Sequence, residues 1–497
     1  MANPLLCVTV AARTIEELRR QRDEASAIGD LVEVRLDALD RPDVPGALAG
    51  RRGPVIVTCR PLWEGGGFCG AEEDRLALLW EAAERGAEFV DVEWRAAFGP
   101  LLARRGGKGI VLSMHDFDAV PADLDPRARA MQATGAEVVK LAVTPRTLAD
   151  NLPLLRIGRA TGERERVSLV GMGTAGLPSR ILAAHFRSCW TYAGEGVAPG
   201  QLPAARLVGE FRFRAVTPST AVYGVVGRPI GHSVSPVIHN AAFGARGIDA
   251  VFLPMEASDS ADFVTFAEAV GLAGASVTAP FKVDLLERAA VVDRVARRAG
   301  AINTLRIERG RWEGRNTDVP GFLEPLEGRI AIDGARVSIL GAGGAARAVA
   351  VALADRGARV TVHARRLEQA REVAALCGGT ASKTAPEAGE WDLLVNATPI
   401  GTDPAQGQLP VPSAALKGGL VYDLVYNPPR TALLEAAAAA GCEVLGGLGM
   451  LVAQAALQFE WWTGMAAPKP LMWARAMERL APGDAGAPQQ GRAGEIA

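Results

Sequence analysis

Short apolar, β-branched runs bounded by turn residues recur through the first 195 residues, at 5–10, 31–36, 54–59, 88–93, 109–114, 137–143, 167–172 and 188–193. Runs of this length between turn signals predict strands. The gaps carry another period. TIEELRRQRDEASAIG (14–29) and AEEDRLALLWEAAERG (71–86) space their apolar residues three and four apart, which predicts helices. Eight strand–helix units in this length predict a (β/α)8 barrel, and the pattern alone also permits an open doubly wound sheet.

The polar stretch RAVTPST (214–220) interrupts the pattern, which restarts with strands near 221–226, 249–255, 273–278 and 301–307. A fresh unit, RVSILGAGGAARAVAVALADRGARVTVHA (336–364), reads as strand, glycine turn, helix, strand. The expected domains are a barrel over 1–215 and then a two-part α/β half, made of a segment over 221–325 completed by C-terminal helices over 447–480 and a Rossmann-type domain over 326–446. The tail APGDAGAPQQGRAGEIA (481–497) has little to bury and is expected to be disordered.

Composition narrows the partners. Lys plus Arg number 54 against 56 Asp plus Glu, for a net charge of -2, which argues against a nucleic-acid surface. Hydrophobic residues make up 49%, yet no run reaches the roughly 18 apolar residues of a membrane span. The densest stretch, Gly446 to Phe459, is broken by Gln454. Six cysteines without a disulfide-like spacing, and a strand-like LLCVTV directly after Pro4, lead us to expect a cytoplasmic protein. With no HExxH and no paired Cys/His spacing, no metal is expected.

Charges inside strands point to chemistry. Glu33 and Arg35 share one strand face with Asp37, and Lys140 sits within the apolar EVVKLAVTP. His115 and Arg60 end strands, which in a barrel is the active-site rim. A lysine suggests amine or Schiff-base chemistry, and several arginines suggest an anionic substrate. The motifs EVRLD, TCRPLWEGG, SMHDF, VVKLAVTP, GMGTAGLPSR and APGQ, in this order, resemble type I 3-dehydroquinate dehydratase over residues 5–213. The resemblance implies that Lys140 forms an iminium with the substrate ketone while His115 moves the proton and assists loss of water. It implies further that Glu64 orients His115, that Glu33 and Arg35 line the site, and that Arg60, Arg180 and Gln201 hold carboxylate and hydroxyl groups. Nearby arginines are expected to favour a neutral Lys140 amine. One departure is Val197 in GVAPGQ, where the family carries serine; Thr191, Tyr192 or a backbone group are possible substitutes.

In the second half, GAGGAA (341–346) follows an apolar strand and opens a helix, the context in which Gly341, Gly343, Gly344 and Ala345 admit a pyrophosphate. The next strand ends in Arg365 and Arg366 without an acid, which favours the 2′-phosphate of NADP over NAD. GHSVSP, SVTAPFK, GAINTL, GRNTDVPG, NATPIG, YDLVYNP and GLGMLVAQ resemble shikimate dehydrogenase over about residues 221–480. That resemblance implies carboxylate contacts from Ser233 and Ser235, hydroxyl contacts from Thr278, Asn303, Tyr426 and Gln454, and a catalytic pair of Lys282 and Asp318. Asn396 and Thr398 would join the cofactor site. Ala364 and Arg366 depart from the family's usual Asn-Arg-Thr around Arg365. His185 and His239 are expected in helices as packing or surface residues, and no role follows for His232.

Together the resemblances imply a bifunctional, NADP-dependent shikimate-pathway enzyme that dehydrates 3-dehydroquinate and reduces 3-dehydroshikimate, with small molecules as its partners. A ligand-sensing regulator on the same folds lacks support, since Lys140, His115, Lys282 and Asp318 are all present and no DNA-reading element is recognisable. Quinate as the second half's preferred substrate is a closer alternative.

Overall fold

The computed structural model describes residues 3–162, 165–196 and 198–481. Val197 and all but the first residue of the expected tail lie outside them. The chain divides into two compact units, Met1–Gly231 with Asp249–Leu272, and His232–Ile248 with Ala273–Ala497.

The first unit holds eight parallel strands: β1 (Leu5–Val10), β2 (Leu31–Arg35), β3 (Val55–Thr58), β4 (Phe89–Glu93), β5 (Ile110–Asp116), β6 (Val138–Val143), β7 (Arg166–Gly171) and β8 (Trp190–Ala193). Their order, β7-β6-β5-β4-β3-β2-β1-β8, is that of a (β/α)8 barrel. Closure between β7 and β8 rests on a Val167–Ser188 bridge, with the Cys189 N–H donating to the Val167 carbonyl at 2.7 Å. Helices between the strands follow local rules. The one over Ile15–Ala25 starts at Thr14, whose hydroxyl caps the Glu17 N–H, with Glu16 and Glu17 in its first turn.

Strand alternation decides where the barrel can do chemistry. Cys7, Leu31, Ile56, Val111, Val138 and Trp190 pack into one apolar cluster. Two residues further along the same strands, on the same faces, stand Thr9, Glu33, Thr58, Ser113, Lys140 and Tyr192, all buried. An apolar floor thus carries a polar layer, and a buried charge there must find a partner or neutralise.

The first unit also includes β9 (Ala221–Gly227) and β10 (Ala250–Glu256), a parallel pair, and the helix Ser260–Val270. The attachment is polar as well as apolar. Asp262 accepts the Leu148 and Ala149 N–H groups at 3.2 and 2.7 Å. Arg159 donates to the Ala269 carbonyl at 3.0 Å, and Arg212 to the Ala250 carbonyl at 3.1 Å. His185 lies in a turn rather than the expected helix, because its Nε2 is held 3.0 Å from the Thr220 carbonyl.

In the second unit, β11 (Gly274–Val277), β12 (Val291–Val292), β13 (Thr304–Glu308) and β14 (Arg311–Arg315) form one group, with β13 antiparallel to β11 and β14. The other sheet is wholly parallel: β15 (Arg336–Leu340), β16 (Arg359–His363), β17 (Thr380–Ser382), β18 (Leu393–Asn396), β19 (Leu420–Asp423) and β20 (Glu443–Gly446). Its order, β17-β16-β15-β18-β19-β20, is the doubly wound arrangement whose ligands bind at the carboxyl ends of the strands where the order reverses. The helix Gly344–Ala354 packs a nearly all-aliphatic face, including Ala346, Val349 and Leu353, into the core of this sheet. His239 lies in the helix Ser235–Ala245, fully buried. No helix among the described residues is long and apolar enough to cross a membrane.

Candidate active sites

One cavity in the barrel is lined by all eight predicted residues, Glu33, Arg35, Arg60, Glu64, His115, Lys140, Arg180 and Gln201, together with Thr9, Phe117, Met172 and Tyr192. Lys140 is 5% exposed. Its Nζ lies 3.1 Å from Asp91 Oδ2, 3.4 Å from Glu33 Oε1 and 4.1 Å from the centre of the Tyr192 ring. This corrects the expected arginine surroundings of the amine: the nearest charges are carboxylates. Arg60 is turned to Glu93 at 2.7 Å, to Asp91 at 3.1 Å and to Ser113 at 2.8 Å. Two carboxylates and a ring face suit a cationic nitrogen.

Each carboxylate is further anchored. Thr9 and Thr58 donate to Glu33 at 2.8 and 2.9 Å. Burial pushes Glu33 up, but the Lys140 charge overrides it and holds the carboxyl below its ordinary range. Asp91 is likewise held down against burial, chiefly by Arg60 and then Lys140. Glu93 shows the opposite balance, since burial pushes it up to about 7 despite Arg60. Its Oε2 stands 2.6 Å from Arg75 Nη1, an ion pair without hydrogen-bond alignment. Arg35 pairs with Asp37 at 2.7 Å.

His115 lies between Glu64 and Phe117. Glu64 Oε1 accepts the His115 backbone N–H at 2.8 Å and stands 3.4 Å from Nδ1, so it fixes the strand end more firmly than the ring. The Phe117 ring stacks on the imidazole at 6.1 Å and 14°. Burial, followed by the charges of Arg60 and Lys140, pushes His115 well below its usual range, which leaves it a neutral base. Arg180 is different again. It is 1% exposed and among the described residues donates only to the carbonyls of Gly171, Tyr192 and Pro199, at 3.1–3.3 Å. Burial alone pulls it down to about 10. A buried guanidinium with no carboxylate of its own is a prepared anion site.

The second unit assembles another cluster. Lys282 Nζ donates to Asp318 Oδ2 at 2.6 Å. Asn303 Nδ2 reaches Asp318 Oδ1 at 2.7 Å, Thr317 Oγ1 at 2.9 Å and Gln454 Oε1 at 3.3 Å. Ser233 accepts the Ser235 N–H at 3.3 Å at the start of the helix Ser235–Ala245. Thr278 and Tyr426 lie in the segments after β11 and β19. None of these last four is hydrogen-bonded to the Lys282 cluster among the described residues.

The glycine turn joins β15 to its helix, with Gly343 at the N-cap, Gly344 first in the helix and Ala345 next. Gly341 takes φ +104°, a left-handed value that requires glycine, and a Cβ there would meet the Ala397 carbonyl oxygen at 3.0 Å. A Cβ on Gly344 would meet Lys282 Cδ at 3.0 Å, so the turn runs beside the Lys282–Asp318 pair. These features fit a dinucleotide, whose pyrophosphate the glycine turn and the helix N-terminus would hold. Arg365 and Arg366 are exposed at the end of β16. Asn396, expected at the cofactor site, has its side chain engaged within the protein. Fully buried, it donates to Asp423 at 2.9 Å and the Ile400 carbonyl at 3.1 Å and accepts from Thr398 N–H and Oγ1 at 3.1 and 2.6 Å. Its hydrogen-bonding capacity is spent on shaping the loop that carries Thr398.

Sequence reasoning missed Asp91, Glu93 and Ser113, and named Tyr192 only as a substitute for the serine absent at Val197. The signal for the first two was DVE (91–93), a charged pair two apart in a strand like Glu33 and Arg35. Gln458 was missed too. One helical turn beyond Gln454, it accepts from Ser276 at 2.6 Å and donates to the Asn303 carbonyl at 3.2 Å. Among the described residues no group of three or more His, Cys, Asp or Glu is placed to hold a metal ion.

A barrel with a lysine amid carboxylates and a neutral histidine, followed by a Rossmann-type unit with a Lys/Asp pair, defines a two-site enzyme of lyase and dehydrogenase classes. Family profiles agree: type I 3-dehydroquinase matches residues 6–218, the shikimate dehydrogenase substrate binding domain residues 225–305, and the shikimate 5′-dehydrogenase C-terminal domain residues 447–477. The chain is 34% identical over 510 residues to the chloroplastic bifunctional 3-dehydroquinate dehydratase/shikimate dehydrogenase of Arabidopsis thaliana, covering 95% of this chain and 84% of that one. It is 41% identical over 286 residues to the shikimate dehydrogenase (NADP(+)) of Methanopyrus kandleri, covering 54% and 98%. A solved relative is the shikimate 5-dehydrogenase of Thermus thermophilus in complex with NADP(H) and shikimate, with 36% identity, 52% and 99% coverage and a TM-score of 0.48. This chain belongs to the family of bifunctional 3-dehydroquinate dehydratase/shikimate dehydrogenases.

Proposed function

We propose that the chain performs two consecutive steps: dehydration of 3-dehydroquinate to 3-dehydroshikimate in the barrel, and NADPH-dependent reduction of that product to shikimate in the second half. In the first, Lys140 passes one ammonium proton to His115 and its amine adds to the ketone; that proton then goes to the carbonyl oxygen, which leaves as water as the iminium forms. The iminium draws electrons from the neighbouring carbon, His115 takes the proton there, and the same proton accompanies the departing hydroxyl. Water then releases the product from Lys140. Arg180 holds the substrate carboxylate, and its buried, unpaired guanidinium is the observation that carries this assignment.

In the second step NADPH, when bound, would supply the hydride that the ketone carbon receives. Lys282, oriented by Asp318 at 2.6 Å, gives its proton to the ketone oxygen. Asn303 and Gln454 contact substrate hydroxyls from within the same network, with Ser233 and Ser235 on the carboxylate and Thr278 and Tyr426 closing the site. Arg365 and Arg366 read the 2′-phosphate. The functional domains are a dehydratase over 1–215, a substrate-binding segment over 221–325 with helices of 447–480, and a cofactor-binding domain over 326–446. A cytoplasmic location is supported by six unpaired cysteines.

Purified protein mixed with 3-dehydroquinate and NADPH should consume NADPH and form shikimate in equal amounts. If 3-dehydroquinate disappears without NADPH loss, the second assignment fails; if supplied 3-dehydroshikimate is reduced but 3-dehydroquinate is inert, the first does.

A further inference from the structure

Three cations stand at one corner of the parallel sheet without carboxylate partners. The pairing of β16 with β17 sets His363 opposite Ser382. The residues that leave the two strands, Ala364 and Lys383, are therefore opposite each other, and the Ala364 N–H donates to the Ser382 carbonyl at 3.1 Å. Arg365, Arg366 and Lys383 are all exposed. None forms an ion pair among the described residues, in a chain with 56 acidic residues for 54 basic ones. The nearest acid in sequence, Glu368, is paired with Arg371 at 2.8 Å.

The turn that carries Lys383 is tied to the end of β16. The Thr384 carbonyl can only accept, so His363 Nδ1 donates to it at 2.7 Å, which leaves Nε2 to accept from Ser338 Oγ at 3.2 Å. Ser382 Oγ accepts the Thr384 N–H at 3.0 Å and lies 2.9 Å from Thr384 Oγ1. The lysine stem therefore starts from a fixed point beside Arg365. The helix Leu367–Ala375 begins at the same corner with no side chain capping its first turn, so its N–H groups add positive potential. Between them, Ala364 contributes no side chain long enough to fill the corner.

We propose that Lys383 is a third cationic ligand of the cofactor 2′-phosphate, supplied by the strand next to the one that ends in Arg365. The proposal rests on the dinucleotide reading above. It accounts for a phosphate grip in which Ala364 and Arg366 replace the family's Asn and Thr: charge from β17 stands in for hydrogen bonds from the β16 turn.

Calorimetric titration of the full chain with 2′,5′-ADP and with ADP tests it without turnover. The unaltered protein should bind 2′,5′-ADP the more tightly. Lys383→Ala should weaken 2′,5′-ADP about tenfold, as for loss of one charge-assisted bond, and leave ADP within about twofold. Lys383→Arg should restore most of the difference. If Arg365→Ala weakens 2′,5′-ADP but Lys383→Ala does not, Lys383 has no part and the phosphate reading survives. If the unaltered protein binds both ligands equally, that reading itself falls. Equal weakening of both ligands by Lys383→Ala would show that the residue acts through the fold, and would overturn the proposal.

Discussion

The two lysines at the centres of this molecule are held in opposite ways. Lys140 stands in a barrel interior with carboxylates at 3.1 and 3.4 Å and an aromatic face beneath its nitrogen, a diffuse cage with no single dominant bond. Lys282 has one carboxylate at 2.6 Å, and Asn303 holds the far oxygen of that carboxylate. The difference fits the work proposed for each. A nucleophile must leave its partners, swing to a carbonyl and carry positive charge again once bonded, so several loose contacts suit it. A proton donor only has to point, and one short, braced contact fixes its direction.

The strongest way to break this comparison is to exchange the losses. Lys140→Ala should reduce dehydration below detection while reduction of supplied 3-dehydroshikimate continues. Lys282→Ala should slow reduction by about 10²–10⁴-fold, the usual range for a general acid, and let 3-dehydroshikimate accumulate. Either substitution silencing both reactions in folded protein would show one interdependent site. Borohydride added during turnover should place substrate mass on the Lys140 peptide alone.

Removing one carboxylate from each lysine sharpens the contrast. Asp318→Asn takes away the only ion-pair partner of Lys282 among the described residues and should cost reduction about a hundredfold or more. Asp91→Asn leaves Glu33 and Tyr192 around Lys140, so dehydration should fall only about tenfold, as for loss of one bond to a charged group. Equal losses would mean that the cage is no more tolerant than the single bond.

Acidity gives a third test. Burial and two neighbouring cations push His115 below its ordinary value, so it stays a neutral base as the pH falls through about 6.5. The acid limb of kcat/KM for dehydration should lie below that pH, and a His115-dependent limb above it would contradict the assignment. The smallest expected effect belongs to Val197→Ser. If the family hydroxyl is simply missing, substrate binding should tighten by about 0.5–1.5 kcal/mol; unchanged affinity in a direct titration would show that another group already fills that role.

Most of the barrel could be read from the chain because each strand is a local pattern. All eight apolar runs contain a strand, and the ends shift where the chain enters the sheet late, as at Ser188, which makes an isolated bridge before β8 begins at Trp190. The strand expected over 301–307 starts only at Thr304, because Ala301 to Asn303 turn into the Lys282 cluster. Lys140 and His115 could be singled out by type and place. Their electrostatics could not. Asp91 lies 49 residues from Lys140 and two strands away, and it is the pairing of both strands with β5 in a curved sheet that brings them within 3.1 Å. Asn396 shows the same limit: its motif suggested a ligand contact, and the bond of its amide to Asp423, 27 residues later, could not be read from it.

The bonds from Asp262 to Leu148 and Ala149 bear on how such a chain can be cut. Those two N–H groups open the helical segment after β6, the strand that carries Lys140, and their acceptor comes from beyond the 214–220 linker. A protease or a gene truncation acting at that linker would sever a reaction-competent barrel from β9, β10 and the helix that braces it. Excised dehydratase should thus keep its turnover at moderate temperature and lose heat tolerance. Chemical autonomy and mechanical autonomy have different borders in this protein, and the second lies some fifty residues further along the chain.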